Sequence, residues 1–513
     1  MQLNAVVGAR PFDPQHSRPL DVHRWSDHPE VKEVCNQLWA SSPFDEFKDP
    51  KRSGPRPKKR FKDQLRVLLL DLYVAWKTDP TLSLGVRMGM AEWKTASRYN
   101  ALFLSNVIPK IIHKLHELEM IHLSKGSYTK PGSRSNRTTR IMAADPLIAL
   151  FCKHDVSLEN LEPPRSRELI VLRNDKNKDM EYEDTDKTSL LRTQMRSYNE
   201  LLWSTFIDLP GHEVPIIERP IKEGPRMGET QRIPVGGTDY AVRRIFSRGS
   251  WECNGRLFGG WWQLLSKDLR QQIYINDEPT VEVDFKGLHI AILSHEKGKP
   301  LEGDPYALPG NPFPPQILDP RNAIKKLILT AINAKSAKAA YQAFRSGFQS
   351  ELPEAHLTNA ELSHAIDLFT EKHPHLKECL FADEGIRLMH IDSQIASIVV
   401  NRLTNLGIPA LCIHDSFIVQ QKQQEALMIE LDHATTHTLG SPFKTSTTQG
   451  HRFHDPLYDG AAPAPGQLSI AQGYEFRLNG WDVRQKAWDL RQKILECEEE
   501  DALYWASRGG KEG

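Results

Sequence analysis

Two aspartates, Asp284 and Asp415, are placed where they could act as a pair. Asp284 interrupts the run TVEVDFKGLHIAIL (residues 280–293) and Asp415 the run LCIHDSFIVQ (residues 411–420). Both runs are apolar and β-branched and read as buried strands, so each carboxylate is carried on a strand or its end. Carboxylates on adjacent strand ends suit two Mg²⁺ (or Mn²⁺) ions. Hard cations take oxygen ligands, and paired ions stabilise both the attacking and the leaving oxygen of a phosphoryl transfer. Either residue alone could equally be an ordinary turn aspartate. Between them, residues 321–344 read as one helix with Ile324, Leu327, Ile328, Ala331 and Ile332 on its buried face. Arg321 and Lys325 stand one turn apart on another face, a spacing that suits a triphosphate or a plain solvated surface.

The elements that must position these residues follow from the flanking text. Upstream, RIFSRGSWECNGRLFGGWWQ (residues 244–263) is rich in Gly, Arg and aromatics. Its glycines allow close backbone approach to a ligand, and Arg256 could pair with a phosphate. Trp261 and Trp262 could stack on bases or fill a core. Residues 387–405 read as a helix with Ile391, Ile395, Ile398 and Val399 inward, stopped at Gly407. His414-Asp415-Ser416 reads as a tight hairpin.

The N-terminal third has a different character. Residues 51–142 hold 19 Lys and Arg against 6 Asp and Glu, although the whole chain balances at 66 of each. Such local excess points to a polyanion partner for this part alone. Residues 1–62 are polar and proline-punctuated and predict a loosely ordered basic arm. From Asp63 a helix is expected with Leu65, Leu68, Leu69 and Leu72 on one face, ending at Asp79-Pro80. A second helix carries Ile108, Ile111, Ile112, Leu115 and Leu118, with Pro109 in its first turn. Two strand-like pieces then flank a turn loaded with Lys125, Lys130, Arg134, Arg137 and Arg140. Helices followed by a basic hairpin resemble a winged helix-turn-helix domain over residues 63–145, which implies binding to a duplex DNA site.

Residues 146–243 predict a helical connector or thumb-like region, including an amphipathic helix at 189–203 through Leu190, Leu191, Met195, Tyr198 and Leu202. Residues 446–513 predict a linker and a terminal helix with Trp488 and Leu490 packing back. The six cysteines have no CxxC pairing, which argues against a zinc or disulfide framework and fits a reducing cytoplasm. No signal peptide or membrane-spanning run is expected.

Taken in order, residues 244–420 resemble the palm and fingers of family A DNA polymerases and the related phage-type single-subunit RNA polymerases. NGRLFG resembles the motif that contacts template and primer, VEVDFKGLHIAIL motif A, RNAIKKLILTAINA motif B, HIDSQIASIVV the segment before motif C, and IHDSF motif C. The resemblance implies an α+β fold with a right-hand palm-and-fingers body over 244–445. Asp284 and Asp415 would hold two metal ions, and Arg321 and Lys325 would neutralise the triphosphate. The backbone at Phe285 and Lys286 would border it. Arg256, His390, Gln394 and His414 would touch template or primer. Motif B usually ends in an aromatic residue and Gly. Here Asn333 and Ala334 stand there, placing Asn333 near the nascent pair. His289, five residues after Asp284, replaces the Glu of the DNA enzymes and the Gly of the RNA enzymes, and its bulk favours deoxynucleotides. The implied activity is template-directed polymerisation, with DNA and nucleoside triphosphates as partners, in the replication or repair of a mobile element. A two-metal nuclease or recombinase would explain the aspartates but not the Arg321/Lys325 helix. A DNA-binding regulator on a decayed polymerase body would not need both aspartates.

Overall fold

The computed structural model describes residues 16–48, 60–89, 95–127, 137–164, 166–212, 240–348 and 351–451, the backbone of 216–220 and 230–234, and a few positions besides, among them Tyr474 and Arg477. The fold is mixed α+β, with one hydrophobic cluster in an N-terminal unit and a second in a larger body.

The N-terminal unit comprises β1 (Ser17–Pro19), α1 (Pro29–Ala40), α2 (Phe61–Thr78), β2 (Ser83–Val86), α3 (Ile108–Glu117), β3 (Ile121–Ser124), β4 (Thr139–Ala143) and α4 (Asp145–Lys153). Its centre is α2, buried on every side from Gln64 to Ala75 rather than along the one expected stripe. Asp71, in the middle of that helix, is fully buried. Its carboxylate accepts from Arg18 at 2.8 and 2.7 Å, from Arg24 at 2.6 Å and from the Asp21 amide at 2.7 Å. Those bonds tie the preceding chain to the helix, so the expectation of a loose arm fails for residues 16–48. There α1 also buries Val31, Val34, Cys35 and Leu38. A buried carboxylate needs such partners, and here the polar segment before α1 supplies them. The basic residues 51–59 lie outside the described residues.

The sheet order is β1-β2-β4-β3, with β2–β4 and β4–β3 antiparallel and β1 added in parallel on β2. Helix, strand, helix and hairpin follow in that order from α2 to β4. Between β2 and α3, however, the described residues form turns instead of the second helix of a helix-turn-helix pair. Asn100 explains this locally, because its side chain closes a turn by donating to the Leu104 carbonyl and accepting from the Leu104 amide.

The body comprises β5 (Ile170–Leu172), α5 (Asp186–Trp203), β6 (Ile207–Asp208), β7 (Ile216–Pro220), β8 (Thr230–Pro234), β9 (Arg243–Ser247), β10 (Ser250–Phe258), α6 (Lys267–Arg270), β11 (Tyr274–Ile275), β12 (Glu278–Phe285), α7 (Leu288–Glu296), α8 (Pro320–Asn333), α9 (Ala337–Ser346), α10 (Asn359–Lys372), α11 (Gly385–Asn405), β13 (Leu411–Ile413), β14 (Ser416–Gln420), α12 (Gln424–Leu439) and β15 (Thr445–Gln449). The main sheet runs β13-β14-β12-β11-β6, with β15 also on β12; a second sheet, β10-β9-β5, backs onto α11. Residues 146–243 therefore serve both units: α4 packs in the N-terminal cluster, while β5, α5 and β6 build the body. Leu190, expected on the buried face of α5, is 59% exposed. Among the described residues, no helix is long and apolar enough to cross a membrane. The expected terminal helix with Trp488 and Leu490 falls outside the described residues.

The helix expected over 321–344 is broken into α8 and α9. Ala334 turns extended, and Ser336 caps α9 by accepting from the Ala339 amide at 3.3 Å. The carbonyls freed at the end of α8 are taken by backbone amides of Phe381, Asp383 and Glu384, so the break is satisfied by the segment leading into α11. That segment is tight: a Cβ on Gly385 would collide with the side-chain amide of Asn333. Gly385→Ala is expected to destabilise the protein by roughly 1–3 kcal/mol, as overpacking does. Adding Asn333→Ala should recover most of the loss in urea unfolding; no recovery would mean that the clash is not the cause.

Candidate active site

The ladder between β12 and β14 sets Asp284 opposite Ser416, and the two-residue turn of the β13–β14 hairpin is His414-Asp415. His414 adopts a left-handed φ of 59° to make that turn. The Phe285 amide donates to the Asp415 carbonyl at 3.2 Å, which draws the two aspartates side by side at one end of the sheet. Alternation along β12 buries Val281, Val283 and Phe285 and leaves Asp284 exposed. Glu282, on the same face one step back, is buried and already committed. It takes Arg270 at 2.8 and 3.1 Å and the Ser416 hydroxyl at 2.5 Å. By contrast, neither Asp284 nor Asp415 has a side-chain hydrogen bond or ion pair among the described residues.

Partial desolvation, then the like charges of Asp415 and Glu282, push the Asp284 carboxyl up to about 7, against the opposing pull of Lys325 and Lys267. Because the residue is open to water, the like charge of Asp415 is the firmer cause. Two adjacent carboxylates without counter-ions are the donor set that hard divalent cations fit. Among the described residues no group of three or more His, Cys, Asp or Glu converges. Bound ions would therefore complete their shells with water and phosphate oxygens, as Mg²⁺ does readily.

Arg256 comes to the same end of the body but is not free. Its Nε lies 3.0 Å from both oxygens of Asp392, its Nη2 also bonds Asp392, and the same Nη2 is 3.1 Å from His289 Nε2. His289 in turn lies 2.8 Å from Asp392. One buried carboxylate on α11 thus holds a side chain from β10 and one from α7. Asp392 was missed in the sequence, though a signal exists: it occupies a core position in the spacing Leu388, Asp392, Ile395, Val399.

On α8, Arg321 is engaged by Asp304, while Lys325 is exposed and has no partner among the described residues. Its charge reaches Asp284, as the pull on that carboxyl shows. Tyr306, also missed, is 3% exposed with a buried hydroxyl that has no hydrogen-bond partner among the described residues, and Arg321 sits over its ring at 5.8 Å. Asn333 is exposed at the end of α8 with its amide turned back to the Leu329 carbonyl at 2.6 Å. Phe285 is a core side chain. The amides of Phe285 and Lys286 are spent on Asp415 and Lys444, which leaves no backbone donor there for a phosphate.

His390 bonds the Asn254 carbonyl at 3.1 Å, and Gln394 lies 3.0 Å from His390, so this pair lines the contact of α11 with β10. His414 presents its ring to Phe258 at 5.3 Å, and its Nδ1 is buried without a partner. Trp261 and Trp262 are buried, and Trp262 donates to the Cys412 carbonyl at 3.1 Å, which makes them core residues. In the N-terminal hairpin, Arg137 bonds Ser124 and Arg140 bonds Ser17, so both are stitched into the sheet. Lys125 is exposed at its rim. Lys130 and Arg134 fall outside the described residues.

No family model matches the chain, and no curated protein matches it. Among solved structures it is similar to the POL domain of Pol1 from M. smegmatis, in complex with DNA primer-template and dNTP. Identity is 11% and the TM-score 0.28, over 84% of this chain and 67% of that one.

Proposed function

We propose that this chain is a template-directed nucleic-acid polymerase, a nucleotidyltransferase that favours deoxynucleotides. Mg²⁺ or Mn²⁺ ions would be held by Asp284 and Asp415. One observation carries the reading: two unpartnered carboxylates stand side by side on neighbouring strands, with the free cation Lys325 in electrostatic reach. When bound, the ions would activate a strand's 3′-hydroxyl and steady the triphosphate. Lys325, and Arg321 once released from its exposed pair with Asp304, would neutralise the charge that grows on the departing pyrophosphate. His289, fixed by Asp392, supplies bulk beside the sugar, while the N-terminal unit holds duplex DNA, in the setting of a replicating or repairing element. A nuclease would use the carboxylates yet have no need of a lysine in electrostatic reach of them.

The test is extension of a labelled primer–template with deoxynucleotides and ribonucleotides supplied separately. Template-dependent growth, faster with deoxynucleotides, is expected; cleavage without nucleotides would favour a nuclease. Lys325→Ala should raise the nucleotide KM about tenfold or more with the primer–template affinity unchanged. An unchanged KM would remove Lys325 from the site.

A further inference from the structure

Arg243 opens β9 at the seam between the two units. It is half-buried, its Nε is shut off from water, and among the described residues its side chain makes no hydrogen bond or ion pair. Its neighbours make this costly. Arg167 and Arg173 add like charge, which together with burial pulls the Arg243 guanidinium down to about 10. Asp179, paired with Arg173 at 2.8 Å, and Asp21, which accepts from the His23 amide at 3.0 Å, offset part of this at a distance, but neither bonds Arg243. His23 completes the wall from the N-terminal unit. Its Nδ1 is buried without a partner, and burial with the charge of Arg167 holds the ring neutral.

A desolvated cation without an anion is a strong cost unless a ligand supplies the charge. The sheet register says where that ligand would run. Arg243 lies directly across the ladder from Phe258, and the Phe258 ring packs against His414, next to Asp415. We propose that Arg243 seats a backbone phosphate of a nucleic-acid strand where that strand passes from the Asp284–Asp415 end to the N-terminal unit. This assignment rests on reading the chain as one that handles nucleic acid.

The experiment uses the full chain and its Arg243→Gln and Arg243→Lys variants. Thermal unfolding is followed in sodium sulfate and in chloride of matched ionic strength, and primer–template binding is measured across a salt series. In chloride, Arg243→Gln should be as stable as the parent or more so, because an uncompensated charge is gone. Sulfate should stabilise the parent beyond its general effect on proteins, which Arg243→Gln reports, and Arg243→Lys should keep most of that increment. Arg243→Gln should weaken DNA binding about fivefold at low salt and lower the salt slope by about 0.7–0.9, the value of one phosphate contact. A loss of stability in chloride, an equal sulfate increment in the glutamine variant, or unchanged DNA binding would each overturn the seat. Asp415→Asn should keep the sulfate increment. If the parent binds DNA and sulfate as stated but extends no primer, the polymerase reading falls and the phosphate seat stands.

Discussion

Asp415→Asn is expected to lower strand extension by at least about 10³ while making the metal-free protein slightly more stable. Both effects come from one arrangement. The hairpin turn and β12 hold two carboxylates together with no hydrogen bond or ion pair to offset their repulsion. Without metal this is a folding cost, seen in the Asp284 carboxyl pushed up to about 7. Replacing one member relieves the repulsion and removes half of the cation site. Mg²⁺ or Mn²⁺ should therefore raise the melting temperature of the parent and not of the variant. Asp284→Asn should behave alike, because the pair acts as a unit. A metal-free variant that melts well below the parent would show that Asp415 is structural, and retained extension would exclude it from the chemistry.

Asp392→Asn should cost roughly 3–5 kcal/mol in urea unfolding, the scale for removing one member of a buried ion pair. The residue is 1% exposed and serves both Arg256 and His289, so its loss strands a guanidinium and an imidazole in one stroke. Apolar replacement of both partners, Asp392→Leu with Arg256→Met, should recover much of that stability but not extension, since β10 and α7 would lose their common anchor at the catalytic end. Should the single variant unfold like the parent, the carboxylate is not what holds this corner.

The strands beside Asp284 and Asp415 were legible because each is an apolar, β-branched run carrying an aspartate, although the first ends at Phe285 and the rest of its run, from Leu288, is α7. α11 and its stop at Gly407 were legible for the same kind of reason. β15 was not. Its text, Thr445–Gln449, is polar throughout, and it becomes a strand only because the free edge of β12 accepts it. The break between α8 and α9 was hidden because its freed carbonyls are satisfied by residues almost fifty positions later. Arg256 was singled out from its setting among glycines, but nothing near it in the sequence names its partner, because Asp392 lies far along the chain. Residues 16–48 misled for a related reason: they are polar and proline-punctuated, and the carboxylate that orders Arg18 and Arg24, Asp71 in α2, lies about fifty positions away.

The central claim is tested most directly by single-nucleotide incorporation. A primer is paired to templates that differ only in the next base, and each deoxynucleotide is offered alone with Mg²⁺. The arrangement of Asp284, Asp415 and Lys325 predicts growth by one residue with release of pyrophosphate, only for the nucleotide complementary to the template, and none with Asp415→Asn. Addition regardless of the template base, or shortening of the strand without any nucleotide, would contradict it.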